Sequence, residues 1–456
     1  MRIQILPLCI ASLVGLAPGI PAQRESAEPQ RTRLDLTPLQ AKTDQGRSAE
    51  LVPVLDGRVV LVSTSLRLHA LDAASGALLW SSPPPEGWEQ LLPGLKPDLW
   101  LGLDREALLV APASGSGVAV AALQLPRARR TADDWQGIPV SVPMPERRLH
   151  AFELASGRPL WSHAAPGDLS ASSFPQRMNV CGAPLVAGMR VLVPCSADES
   201  SIDYHVAAYD LATGALLWST FVQRGQTPRG SFGYASVEFV AAPLAVSPDA
   251  SRVLAATGLG RVAALALGTG EILWSIDYEA IPLPKVRSYG PPPRRTTWRT
   301  SPPVLDGDLL WVTPRDGTEL IAFDLATGVR RASVSARELQ ALVQPEAKLE
   351  LDHLIGVRGE LVWLGGTGAA AFRREGGLAG PGPWRLAWYE PGERASVRGR
   401  LEGEALLLPG ASGLRVLAPL SGTELAREPG PRLFGLAATD TSLFLLSADG
   451  LELRAR

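Results

Sequence analysis

The ten residues YDLATGALLW at positions 209–218 recur along this chain in recognisable form. HALDAASGALLW ends at Trp80, HAFELASGRPLW at Trp161, ALALGTGEILW at Trp274 and AFDLATGVRRA at Ala332. A segment written this often is one layer of a repeat architecture, because a single copy cannot shelter its own apolar face and must stack on its neighbours. Each copy lies inside a longer unit. A Pro-containing strand opens it: LVPVLDG from Leu51, CGAPLVAG from Cys181, AAPLAVSPD from Ala241, SPPVLDG from Ser301. Strongly apolar runs follow (RVVLVST, RVLVPC, RVLAAT, LLWVT), then a strand ending in Leu-Asp or its equivalent, a turn, and a strand closing on Trp. Each unit therefore predicts four strands.

Turn chemistry explains the conserved spelling within the chain. In LDAASG, YDLATG and FDLATG the carboxylates of Asp72, Asp210 and Asp324 are placed to accept a backbone N–H two residues on. Gly76, Gly214 and Gly328 then supply the positive φ of a tight hairpin with a bulge. Glu153 and Ala266 replace the Asp in two copies, which predicts turns without that clamp that still use Gly157 and Gly270. The second strand of each unit is apolar at successive positions, the pattern of a strand buried on both faces. Trp80, Trp161, Trp218 and Trp274 all occupy one repeat position, so they are expected to wedge neighbouring units together rather than to form a ligand-stacking surface.

Units continue in weaker form beyond Ala332: RGELVWLGG with RLAWYEPGERASV, then EALLLPGASGLRVLAPLSGTELARE, then LFGLAATDTSLFLLSADGLELRAR. That makes eight, with seven left open if the sixth and seventh are divided differently. The last unit lacks a fourth strand, and an open ring would expose two sheet edges. The segment RTRLDLTPLQ (31–40) lies upstream of the first unit and is expected to complete the last one, closing the ring with the two chain ends. Insertions interrupt the second unit (ARRTADDWQGIPVSVPMPERR) and the sixth.

With 46% apolar and 20% charged residues the chain has the balance of a folded protein, and 45 Gly with 40 Pro suit many short strands joined by turns. A net charge of −2 argues for neither nucleic acid nor an anionic membrane surface as partner. The first residues, MRIQILPLCIASLVGLAPGIPAQ, have the Arg, the short interrupted apolar run and the small residue at Ala22 of a secretory leader. The expected organisation is a leader over 1–22, an N-terminal segment with the closing strand over 23–50, and the repeat domain over 51–456. Export to a periplasmic or extracellular compartment follows, without a lipid anchor at Cys9. Cys181 and Cys195 bracket CGAPLVAGMRVLVPC, and a hairpin turning near Gly188 would set them opposite each other, within disulfide range. A structural bridge between them is therefore expected.

The Gly-x-x-x-Trp signature preceded by Ala-Leu-Asp-like residues resembles the repeats of pyrroloquinoline-quinone-type β-propellers, well over 51–332 and weakly beyond. The resemblance implies an eight-bladed all-β propeller. That family includes quinone-dependent alcohol dehydrogenases, the propeller scaffold of the outer-membrane barrel-assembly machinery, and exported propellers without a cofactor. The dehydrogenases hold quinone with Ca²⁺ on carboxylate and amide oxygens, use an Asp base, and carry a bridge between adjacent cysteines. This chain has no two adjacent cysteines and no C-x-x-C-H haem attachment. The resemblance thus points to a non-enzymatic interaction module for a protein or envelope partner, working as a monomer without cofactor or metal. A dehydrogenase using pyrroloquinoline quinone (PQQ) and calcium is the alternative.

Other chemistry finds little support. GSG at 115–117 and GGTG at 365–368 lack the Lys and spacing of a phosphate loop. The five His are dispersed, with no pair at metal-ligand spacing on one element. In rings of this kind the loop before each first strand rims the central funnel. Counting back from the Pro register marks selects Asn179, Glu238, Trp298 and Arg299 as a candidate ligand or partner site on that rim.

Overall fold

A computed structural model describes residues 30–34, 53–64, 66–83, 111–135, 138–163, 174–198, 201–226, 239–282, 297–343, 350–447 and 449–455, with backbone alone for 126–145. The described residues form eight antiparallel sheets in chain order, the blades of a propeller. In the first blade Val54–Asp56, Val59–Ser63, Leu68–Asp72 and Leu78–Ser81 lie side by side in that order. The next four blades repeat the pattern. In the sixth, one long strand, Leu361–Arg374, pairs with Leu351–Arg358 along its first half and with Trp384–Arg394 along its second. The bend falls at Gly366 and Gly368, both at positive φ.

Burial explains why the second strands are uniformly apolar. Val60 and Val62 point into the core shared with the eighth blade, whereas Leu61 points into the core shared with the second. Val191 and Val193 likewise face the second blade and Leu192 the fourth. Every blade is covered on both sides by its neighbours, and removing any one strips two faces. Fourth strands are the most exposed, as at Leu78, Leu79, Leu216 and Leu217. First strands of successive blades touch one another: Val54–Asp56 meets Ala113–Gly115, and Leu351–Arg358 meets Arg400–Glu402. First strands therefore converge on the axis and fourth strands form the outer wall.

The ring is closed by its ends. Gln30–Thr32 pairs antiparallel with Gly450–Ala455, setting Arg31 opposite Glu452. It supplies the fourth strand of the eighth blade, and the blade count is eight. Pairing covers only the start of the stretch expected to close the ring, and 35–40 lie outside the described residues.

At the turns, Asp72 Oδ1 accepts the N–H groups of Ala74 at 3.1 Å and Ser75 at 2.7 Å, and Asp210 and Asp324 do the same in their copies. Glu153 instead binds Ser156 Oγ and Arg158 by its side chain, while the Gly157 N–H still reaches the Glu153 carbonyl at 2.8 Å. Each closing indole leans on the turn of the next blade. Trp161 Nε1 donates to the Leu211 carbonyl at 2.9 Å, and a Cβ added to Gly214 would stand 2.6 Å from its ring. Trp80, Trp218 and Trp274 donate in the same way to Leu154, Leu267 and Leu325. Trp388 repeats the contact from the sixth blade, bonding Pro419 and covering Gly422.

The bridge expected between Cys181 and Cys195 is not formed; both remain buried thiols. Cys195 pairs directly with Val180, so Cys181, one residue on, projects to the other face of the blade. Cys181 packs toward the fourth blade and Cys195 toward the second. The single hairpin assumed from spacing is in fact two short strands, Asn179–Val180 and Leu185–Ala187, pairing with Arg190–Asp198 in different registers.

Candidate functional site

In an antiparallel sheet of consecutive strands the connections alternate between its two ends. One end of this ring holds the tight turns between first and second strands, with Gly57, Gly117, Gly188 and Gly307 at positive φ, together with the Asp-Gly turns. The other end holds every blade-to-blade connection, a helix at Ala336–Val343, and the long ribbon of the second blade. Connections between elements are where recognition residues are usually placed.

Three of the four rim candidates belong to the described residues. Asn179 is only 2% exposed, and its Oδ1 accepts the backbone N–H of Arg147 at 2.8 Å, joining the second and third blades. Beside it, buried Arg148 pairs with Glu146 and donates to the Met178 carbonyl at 2.7 Å. Trp298, 1% exposed, lies in the apolar core with Trp311 and Leu339 and offers no surface to the funnel. Glu238 lies outside the described residues. Asn179 and Trp298 are thus both taken up in contacts between blades.

Arg299 has a different setting. Its Nε stands 3.1 Å from Asp352 Oδ2, and its Nη2 donates to the Ala395 carbonyl at 2.9 Å. Arg394 reaches the same carboxylate oxygen at 3.1 Å and Glu350 at 3.0 Å. His353 Nε2 accepts the Gly399 N–H at 3.2 Å, which puts the ring proton on Nδ1, where it donates to Asp352 Oδ1 at 2.7 Å. Burial acts to raise the Asp352 pKa, but the hydrogen bonds from His353 and Arg394 and the charge of Arg299 outweigh it and hold the carboxyl below its ordinary value. This knot ties the connection before the fifth blade to the sixth and seventh. Only the adjacent Asp-His pair hinted at it in the sequence, because Arg299 comes from the connection before the fifth blade and Arg394 from the far end of the sixth.

A quinone and Ca²⁺ would need carboxylate and amide oxygens turned toward a ligand. Asp352 spends both oxygens on His353, Arg299 and Arg394, and Asn179 spends its oxygen on a backbone N–H. Among the described residues no three His, Cys, Asp or Glu side chains are grouped to hold a metal. Neither Asp352 nor Asn179 therefore fits that group. No helix among the described residues is long and apolar enough to cross a membrane.

Known proteins show the same architecture. The family described as outer membrane protein assembly factor BamB matches residues 30–334. BamB from Moraxella catarrhalis superposes with a TM-score of 0.53 over 94% of this chain and 99% of its own, at 14% identity. The quinohemoprotein alcohol dehydrogenase of Comamonas testosteroni gives 0.53 over 93% of this chain and 78% of its own, at 12% identity. In sequence, 185 residues are 26% identical to quinohemoprotein alcohol dehydrogenase ADH-IIG from Pseudomonas putida, covering 40% of this chain and only 21% of that enzyme.

Proposed function

Since the chain belongs to the family described as outer membrane protein assembly factor BamB, we propose that it is an exported scaffold ring that binds a protein or another envelope component and catalyses no reaction itself. The observation that carries this reading is the unequal construction of the two faces. Repeated turns of nearly fixed chemistry make one face, and all the blade connections make the other. A surface varied against a constant frame is the arrangement expected for partner recognition. Arg394, with a half-exposed side chain, and Glu350 contribute charge to that face, with Arg299 behind them.

Photo-crosslinking in the native envelope tests the proposal. A crosslinker replacing Glu350 or Arg394 on the connection face should give a discrete adduct, and one replacing Ser75 or Thr213 on the turn face should not. Adducts from the turn face alone would refute it. The alternative, a dehydrogenase using PQQ and calcium, draws on the partial likeness to ADH-IIG. Incubating purified protein with quinone and Ca²⁺, desalting it, and recording absorbance and alcohol-dependent dye reduction separates the two readings. A retained chromophore with turnover would establish the alternative.

A further inference from the structure

The insertion of the second blade has a definite form. Val118–Trp135 and Ile138–Glu153 pair beyond the blade as far as Trp135 opposite Ile138, whereas their flanking strands, Ala113–Gly115 and Pro159–Ser162, are short. From Ala128 outward the ribbon has two open edges among the described strands and projects roughly 25 Å at ~3.4 Å per residue. A two-stranded ribbon is marginal in water by itself, so one of this length calls for a partner strand.

Its two edges are not equivalent. Pro139, Pro143 and Pro145 stand opposite Asp134, Arg130 and Ala128, all at the same parity. Proline lacks the N–H that a hydrogen-bonded pair exchanges, so these three are non-hydrogen-bonded pairs whose backbone polar groups point outward. Prolines thus strip the donors from one edge. On the other edge Ala128, Arg130, Ala132 and Asp134 direct intact N–H and C=O groups outward.

That open strand reads Arg127-Ala-Arg-Arg-Thr-Ala-Asp-Asp134, basic toward the blade and acidic toward the tip. Antiparallel pairing of two such strands sets each basic half against the other's acidic half, while parallel pairing opposes like charges. We infer that this strand pairs with its own counterpart in a second copy of the chain, joining two propellers through a four-stranded ribbon with twofold symmetry. The parity set by the prolines allows Thr131 on the twofold, which places Arg129 opposite Asp133 twice. A dimer thus replaces the monomer expected from the sequence.

Sedimentation of the full mature chain at micromolar concentration tests this. The wild-type protein should be dimeric, with affinity falling at least tenfold between low and high salt. Ala132→Pro removes an outward donor without touching the ribbon's own ladder and should give a folded monomer with an unchanged circular-dichroism melt. Arg129→Asp/Arg130→Asp and Asp133→Arg/Asp134→Arg should each be monomeric alone and form a heterodimer when mixed. Thr131→Cys should crosslink to a dimer on oxidation. A monomeric wild-type chain, a dimer that survives Ala132→Pro, or a mixture that stays monomeric would overturn the inference.

Discussion

Thr32 donates its hydroxyl proton to the Gly76 carbonyl across 2.5 Å, joining the first described strand to the turn of the first blade. Thr220 makes the same bond to Gly270 at 2.7 Å from an ordinary fourth strand. The N-terminal strand therefore does not merely pair with the last sheet but reproduces a contact between successive blades. Arg31 adds a 2.8 Å ion pair to buried Glu452.

Deleting residues 24–34 should lower the melting temperature by 10 °C or more, on the order expected when two blade faces are uncovered. Thr32→Val should cost only about 1 kcal/mol, the value of one hydrogen bond. Differential scanning calorimetry distinguishes the two, and an unchanged midpoint in the deletion would show that the clasp does not stabilise the ring.

Gly214→Ala should destabilise by about 2–4 kcal/mol, combining positive-φ strain with overpacking against Trp161. Gly188→Ala shares the positive φ but meets nothing within 4 Å, so it should cost only about 1–2 kcal/mol. Chemical denaturation of both variants isolates the contribution of the indole contact.

Acid should weaken the fold in two windows. Burial lowers the His150 pKa to about 4, with a smaller push from His163, and burial also lowers that of His163. A depressed histidine means that the unfolded chain takes up the proton first. The stability contributed by neutral His150 is thus whole above pH ~6.5 and lost as pH falls toward 4, at most roughly 3 kcal/mol. The turn carboxylates follow lower down. Hydrogen bonds from Ser75 and Thr213 lower Asp72 and Asp210, and Arg331 with Thr327 takes Asp324 to about 2. Their contribution is present above pH ~4 and disappears as pH falls through the folded values. Melting temperature measured from pH 7 to 2 should show both declines. Replacing all three Asp by Asn should flatten only the lower one.

Alkylation of the denatured, unreduced protein should label both Cys181 and Cys195. In the folded chain Cys195 should remain unlabelled, since burial pushes its thiol up to about 12 despite the opposing Arg148 charge. A mass spectrum showing an intact disulfide would overturn the placement of these residues on opposite faces.

Sequence alone determined the unit, the turn chemistry, the closing strand and the likeness of the eight copies, because hairpins, bulges and alternating burial depend on residues a few positions apart. Even the weak sixth unit contained its docking indole, Trp388, but a loop inserted after Arg374 broke the Gly-x-x-x-Trp signature that marks the other copies. Tertiary structure decided what depends on register and on meetings between units. A shift in pairing turned Cys181 away from Cys195, since one residue along a strand reverses its face. Packing buried Trp298 and tied Arg299 to Asp352, because the partners that receive these side chains lie far from them in sequence.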